Sequence, residues 1–122
     1  MKYALLIYGD ESIQPAQGTP EFDEMYQAYY KFTEDITNEE VNRGVEALHD
    51  VGTATSVRVR DGQQTVTDGP FAETKEQLGG FYMLDCATRA EALALAAKIP
   101  HARLGTIEVR AVPERYSAPD NS

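Results

Sequence analysis

The chain has 122 residues, of which 42% are hydrophobic, and carries 20 acidic against 11 basic side chains for a formal net charge of −9. That length and composition fit one domain with a sizeable core and argue against wholesale disorder. The acidic balance argues against nucleic acid and against an anionic membrane surface as partners, because both demand neutralising basic residues.

The first apolar run, Tyr3-Ala4-Leu5-Leu6-Ile7-Tyr8, is too short to cross a bilayer. No signal-peptide core with a small-residue cleavage site follows it, so the expected location is the cytoplasm. A short β-type run without polar alternation predicts a central strand over residues 2–8, and Gly9-Asp10 ends it. Residues 10–19 contain Pro15 and Gly18 and show no period, which reads as a loop.

Thr19-Pro20 opens a helix. Thr19 is placed to cap free N–H groups, Pro20 suits the first helical position, and Glu21, Asp23 and Glu24 favour the positive end of the dipole. Phe22, Met25, Tyr29, Phe32 and Ile36 recur at spacings of three and four and form one apolar face, with Tyr26 beside it. Helical spacing alone accounts for that stripe as core. Residues 37–52 are open to two readings. Thr37-Asn38-Glu39-Glu40 resembles a capping box. Gly44 and the β-branched Val41 and Val45 favour instead a strand near 41–48.

Val57 and Val59 alternate with Arg58 and Arg60, which predicts a half-exposed strand. Asp61-Gly62 is a hairpin signal, and Thr65-Val66-Thr67 forms the return strand. The stretch from Asp68 to Gly80 comes next. Residues 81–86 read as a second buried strand, in which the single cysteine, Cys86, is expected to act as a small hydrophobe. One cysteine excludes an intrachain disulfide and makes a Cys-based zinc site untenable. Thr88 and Glu91 form a capping box for a helix over 88–99 that Pro100 stops. Residues 106–112 make the last strand, and the tail over 113–122 is expected to be loose.

The order β-α-β, inserted hairpin, β-α-β is an α+β, ferredoxin-like split βαβ plan over residues 1–112. Its helices lie on one sheet face. Two apolar central strands imply that the other face is also covered, and a homodimer pairing two sheets would cover it.

Four stretches of the chain together resemble a known family: Met1 to Asp10, Thr55 to Gly62, Ile107 to Arg110, and above all Val66-Thr67-Asp68-Gly69-Pro70-Phe71-Ala72-Glu73-Thr74-Lys75-Glu76-Gln77-Leu78-Gly79-Gly80-Phe81-Tyr82. The sequence is similar to the YCII-related (YciI-like) group and, within it, to the DGPF-type branch. The resemblance implies a dimeric α+β barrel of ferredoxin-like subunits. It also implies a context beside extracytoplasmic-function sigma factors, without naming a chemistry. In the YciI-like branch a His on the first helix and a following Asp are the proposed catalytic pair. Here the first helix carries Tyr26, Tyr29 and Tyr30 and no His, so that pair is not carried over.

Asp68-Gly69-Pro70-Phe71 reads structurally as an Asx-type turn whose Phe71 plugs the core; functionally, Asp68 would face a cleft as a base or ligand contact. Glu73 and Lys75 share a side if their segment is extended and could then bind a polar substrate; otherwise, with Glu76, they are a solvated charged turn. Gly79-Gly80 fits a bulge or close packing, and no phosphate-loop pattern surrounds it. His49 and Asp50 can cooperate only in a turn, and His101 sits where a cation favours a helix end. Tyr3, Tyr8 and Tyr82 are pocket or core residues of central strands. The two His lack ligand spacing, so no metal and no cofactor is expected. The expected site is a small-molecule cleft lined by Asp68, Glu73, Lys75 and Tyr82, with His49 as a further acid–base candidate. The alternative is a non-catalytic interaction or regulatory module.

Overall fold

Strict alternation of burial marks Lys2–Gly9, strand β1: Tyr3, Leu5 and Ile7 point into the core, and Ala4, Leu6 and Tyr8 point to the opposite face. In the computed structural model, which describes residues 1–114, α1 (Pro20–Asn38) and β2 (Asn42–Ala47) follow. Next come β3 (Thr55–Arg60), β4 (Gln63–Asp68), β5 (Gln77–Asp85), α2 (Arg89–Ala96) and β6 (Thr106–Ala111). Residues 115–122, most of the expected loose tail, lie outside the described residues.

Four strands form an antiparallel sheet in the order β2-β5-β1-β6. This is the ferredoxin-like arrangement, with the β3–β4 hairpin inserted as a separate two-stranded ribbon. Leu5 stands opposite Tyr82 on one side and Val109 on the other. Both helices pack on the face these residues share. Phe32 and Ile36 come from α1, and Ala92, Leu95 and Ala96 from α2. Ile99 and Cys86 complete the cluster, and the Cys86 thiol, 1% exposed, has its pKa raised by desolvation.

The helix starts follow the expected chemistry. Thr19 Oγ1 accepts from the Phe22 N–H at 3.2 Å, with Pro20 at the first helical position. Thr88 Oγ1 accepts from Glu91 N–H at 3.2 Å, while the Glu91 carboxylate reaches back to Ala87 N–H at 3.0 Å. The ambiguous segment resolves into the end of α1 and then β2. The helix stops at Asn38, Glu40 takes a φ of 63°, and Val41 N–H bonds back to Ile36 O at 3.1 Å. β2 then gains its hydrogen bonds from β5, a tertiary partner that outweighs the local capping pattern.

Two expectations fail around the hairpin. Val57, Val59 and Val66 are 60%, 58% and 57% exposed, because the ribbon packs against neither the sheet nor a helix. Phe71 does not plug the core: it is 79% exposed. β5 also begins earlier than expected, at Gln77, since β1 and β2 flank it on both sides and continue its ladder. Gly79 is the extra residue at a bulge, where Ile7 pairs with Gly80 and Tyr8 with Leu78. No helix among the described residues is long and apolar enough to cross a membrane.

Candidate functional site

A cleft of about 630 Å³ opens between the middle of α1 and the β2–β5 side of the sheet. Its origin is topological. α2 is in contact with β6, and the second half of α1 seats Phe32 and Ile36 in the core. The exposed half of β2 therefore faces Tyr26, Tyr29, Tyr30 and Thr33 of α1 across open space. Gly79 and Gly80 leave the floor bare, and Ile7 and Tyr82 complete it. Tyr26 and Tyr30 stand at the exposed rim with Val45 and Leu48. The volume lies within the range of small-molecule sites.

At one end a polar chain crosses the fold. The Tyr29 hydroxyl meets His101 Nδ1, and His101 Nε2 meets Gln14 Oε1 at 2.7 Å. The Gln14 amide nitrogen faces the Asp10 carbonyl at 3.5 Å, so its oxygen is the atom turned to the ring. Nε2 is therefore the protonated ring nitrogen and donates, and Nδ1 accepts from the Tyr29 O–H. Burial pushes the His101 pKa below the ordinary imidazole value, which keeps the ring neutral. Burial also raises the Tyr29 phenol well above its usual range, so the proton stays on Tyr29 in the resting protein. The Tyr82 phenol is raised for the same reason and shares a 2.7 Å hydrogen bond with Thr33 Oγ1. Phe32 braces the Tyr82 ring edge-on at 5.1 Å between centroids.

The acidic wall comes from the loops. The Glu11 carboxylate accepts from Val51 N–H at 3.1 and 3.3 Å, and Glu11 N–H donates to Gln77 Oε1 at 3.0 Å. These bonds tie the loop after β1 to the loop after β2 and to the start of β5. Asp50 lines the same wall. No Lys or Arg belongs to the lining among the described residues. Chemically, the cleft presents an aromatic body site, a carboxylate wall and a phenol whose proton is already directed at a neutral imidazole. A bound ammonium or acidic hydroxyl could give a proton to the Tyr29 oxygen as Tyr29 passes its own to His101 Nδ1, leaving the amine or the oxyanion.

The residues singled out from sequence are distributed unevenly. Tyr82 lines the cleft. Asp68 ends β4 on the exposed ribbon, outside the lining, and its carboxylate takes no hydrogen bond among the described residues. The turn is built by other groups: Gly69 N–H bonds to Ala54 O at 2.6 Å and Ser56 Oγ donates to Gly69 O at 2.8 Å. Gly69 holds a φ of +97°, which favours glycine there. Glu73 and Lys75 are exposed in the connection before β5, which is not a strand, so the expected period-two sharing of a side does not apply. His49 is exposed and outside the lining, although Leu48 and Asp50 on either side of it belong there. Tyr3 is core, Tyr8 lies on the opposite sheet face, and of the three strand tyrosines only Tyr82 reaches the cleft.

His101 corrects the sequence reading most sharply. It follows α2 as expected, but its ring turns into the cleft and serves no helix end as a cation. Its partners Tyr29 and Gln14 are 72 and 87 residues away in sequence. No local pattern signals such a meeting. Among the described residues no group of three or more His, Cys, Asp or Glu is arranged to hold a metal ion.

The profile of the YCII-related domain matches residues 1–115. An uncharacterized protein of Rhizobium meliloti (strain 1021), R00369, is 38% identical over 112 residues, covering 90% of this chain and 90% of that protein. With the ferredoxin-like sheet already described, these matches place the chain in the YCII-related family.

Proposed function

We propose that this protein binds a small organic molecule in the α1–β2–β5 cleft and presents the Tyr29–His101 pair to it as a proton-accepting group. The observation that carries this reading is the polar chain Tyr29–His101–Gln14 at the end of a cleft of about 630 Å³. Conserving a fold does not require a neutral imidazole and a phenol bonded together beside an open aromatic cleft. A site that accepts a proton from its ligand has use for both. A thermal-shift screen of small metabolites on wild type, Tyr29→Phe and His101→Gln tests it. The expected result is a stabilising compound whose affinity drops roughly tenfold or more in either variant, the worth of a lost hydrogen bond in a buried site. A compound that stabilises all three proteins equally sinks the assignment of Tyr29 and His101.

The assembly that fits this reading is a homodimer. Leu6, Tyr8, Phe81 and Met83 form an apolar patch on the sheet face away from the helices, and nothing in the described chain covers it. Pairing two such faces would give the dimeric barrel of the DGPF-type branch. A second reading has its own support. The bare valines of the β3–β4 ribbon and exposed Phe71 fit a protein-interaction surface, as a regulatory module would carry. A screen without any stabilising compound favours that reading.

A further inference from the structure

Resting on the reading of the cleft as a ligand site, we infer that its ligand is an uncharged or cationic hydrogen-bond donor with an apolar body, an amine or alcohol and not a carboxylate or phosphate. Two independent features of the cleft select this class.

The first is charge. Glu11 and Asp50 line one wall, and no Lys or Arg offsets them in the lining among the described residues. Both oxygens of Glu11 lie against the single Val51 N–H, which leaves its negative charge in place while fixing the carboxylate's position. An anion entering here would meet like charge without a compensating cation, whereas an ammonium would meet a pre-positioned carboxylate.

The second is the direction of the hydrogen bonds. Tyr29 O–H donates to His101 Nδ1, His101 Nε2–H donates to Gln14 Oε1, and the Gln14 amide donates to Asp10 O. The three protons that make these bonds run from Tyr29 through His101 and Gln14 to the Asp10 carbonyl. The Tyr29 oxygen, its proton committed to His101 Nδ1, is left as an acceptor strengthened by the chain behind it, with the His101 backbone N–H also turned toward it. A ligand group that meets the Tyr29 oxygen does so as a donor. The hydroxyls of Tyr26 and Tyr30 at the rim, and of the Thr33–Tyr82 pair within, can donate or accept and do not discriminate. The apolar body follows from Ile7, Val45 and the tyrosine rings around the bare Gly79–Gly80 floor.

Three probes that share one bicyclic body separate the alternatives: 1-naphthylmethylamine, 1-naphthalenemethanol and 1-naphthoate. Titrations followed by amide chemical shifts report both affinity and place, through Val45, Leu48 and Gly80. The amine and the alcohol are expected to shift these residues with affinities at least tenfold above that of the naphthoate. Glu11→Gln combined with Asp50→Asn is expected to abolish the advantage of the amine over the alcohol. Asp61→Asn, in the hairpin turn, changes net charge without touching the lining and is expected to leave the ranking unmoved. If naphthoate binds in the cleft as tightly as the amine, the donor class is overturned and the cleft survives as a ligand site. If Asp61→Asn erases the preference as fully as the double variant, global charge and not the wall sets it, which also overturns the inference. If no probe shifts the cleft residues, both the ligand site and its selectivity fall.

Discussion

Gly9 ends β1 beneath the Gln14–His101 pair, where a methyl group would lie 2.6 Å from Gln14 Nε2 and 3.0 Å from His101 Cδ2. The amide end of Gln14 can swing aside to admit a Cβ, at the expense of its contact with the imidazole. Gly9→Ala is expected to push Gln14 off the imidazole and to lower stability by about 0.5–1.5 kcal/mol, the worth of the lost hydrogen bond. Urea unfolding with an unchanged m-value checks it. His101 adds a pH dependence. Its folded pKa is below the ordinary 6.5 because burial disfavours the charged ring. Above 6.5 the ring is neutral in both folded and unfolded chains and the group is indifferent to pH. As pH falls through 6.5 the unfolded chain takes up a proton that the folded one resists, so stability declines until the folded ring also protonates. The melting temperature of wild type is therefore expected to fall between pH 7 and pH 5 more steeply than that of His101→Gln. Parallel curves for the two proteins would place the acid sensitivity elsewhere.

The β3–β4 ribbon obeys local rules but lacks tertiary ones. Asp61 and Gly62 both take positive φ, 52° and 76°, which gives the turn the twist that two-residue hairpins require. Val57 pairs with Val66 across the ladder, yet neither is covered. A free two-stranded hairpin is marginal in water, so the element depends on its tether to the Thr53–Ala54 turn. Val57→Thr with Val59→Thr keeps β-branching and removes only apolar surface. In an uncovered ribbon the pair of changes is expected to alter unfolding free energy by no more than about 0.5 kcal/mol per site. A larger, concentration-dependent loss would show that a second chain buries these valines.

For the whole molecule, the two faces of the sheet pose different problems. The helix face is filled by a cluster in which Leu5, Tyr82 and Leu84 are almost wholly buried. The opposite face carries Leu6, Phe81 and Met83 in its middle, with Glu46, Glu108 and Arg110 beside them. An apolar centre with a charged border is the anatomy of an interface. Light scattering is expected to give about twice the 13.5 kDa chain mass at micromolar concentration. Phe81→Lys is expected to return the protein to the single-chain mass, because a charge at the centre of such a face cannot be paired. A wild-type mass of one chain would remove the dimer.

The sequence by itself determined the elements that depend on neighbours a few residues apart. The caps at Thr19 and Thr88, the Asp61-Gly62 turn and the period of α1 arise from hydrogen bonds and side-chain directions within one or two turns of chain, and they were readable as such, while β1 was readable as an apolar run and not by its period. The split βαβ order followed from them. Only the tertiary structure decided the rest. Residues 37–52 carried both helix and strand signals, and pairing with β5 chose between them. Phe71 looked like a core plug because sequence records apolarity and not the reach of a detached ribbon. The site diverged most. Asp68, Glu73 and Lys75 were conspicuous because they cluster along the chain, whereas the polar chain that faces the cleft joins Gln14, Tyr29 and His101 from three distant segments. Folding brings them within hydrogen-bonding distance because β1, the loop after it, α1 and the turn after α2 converge at one end of the sheet. Proximity created by topology leaves no periodic trace in the order of residues.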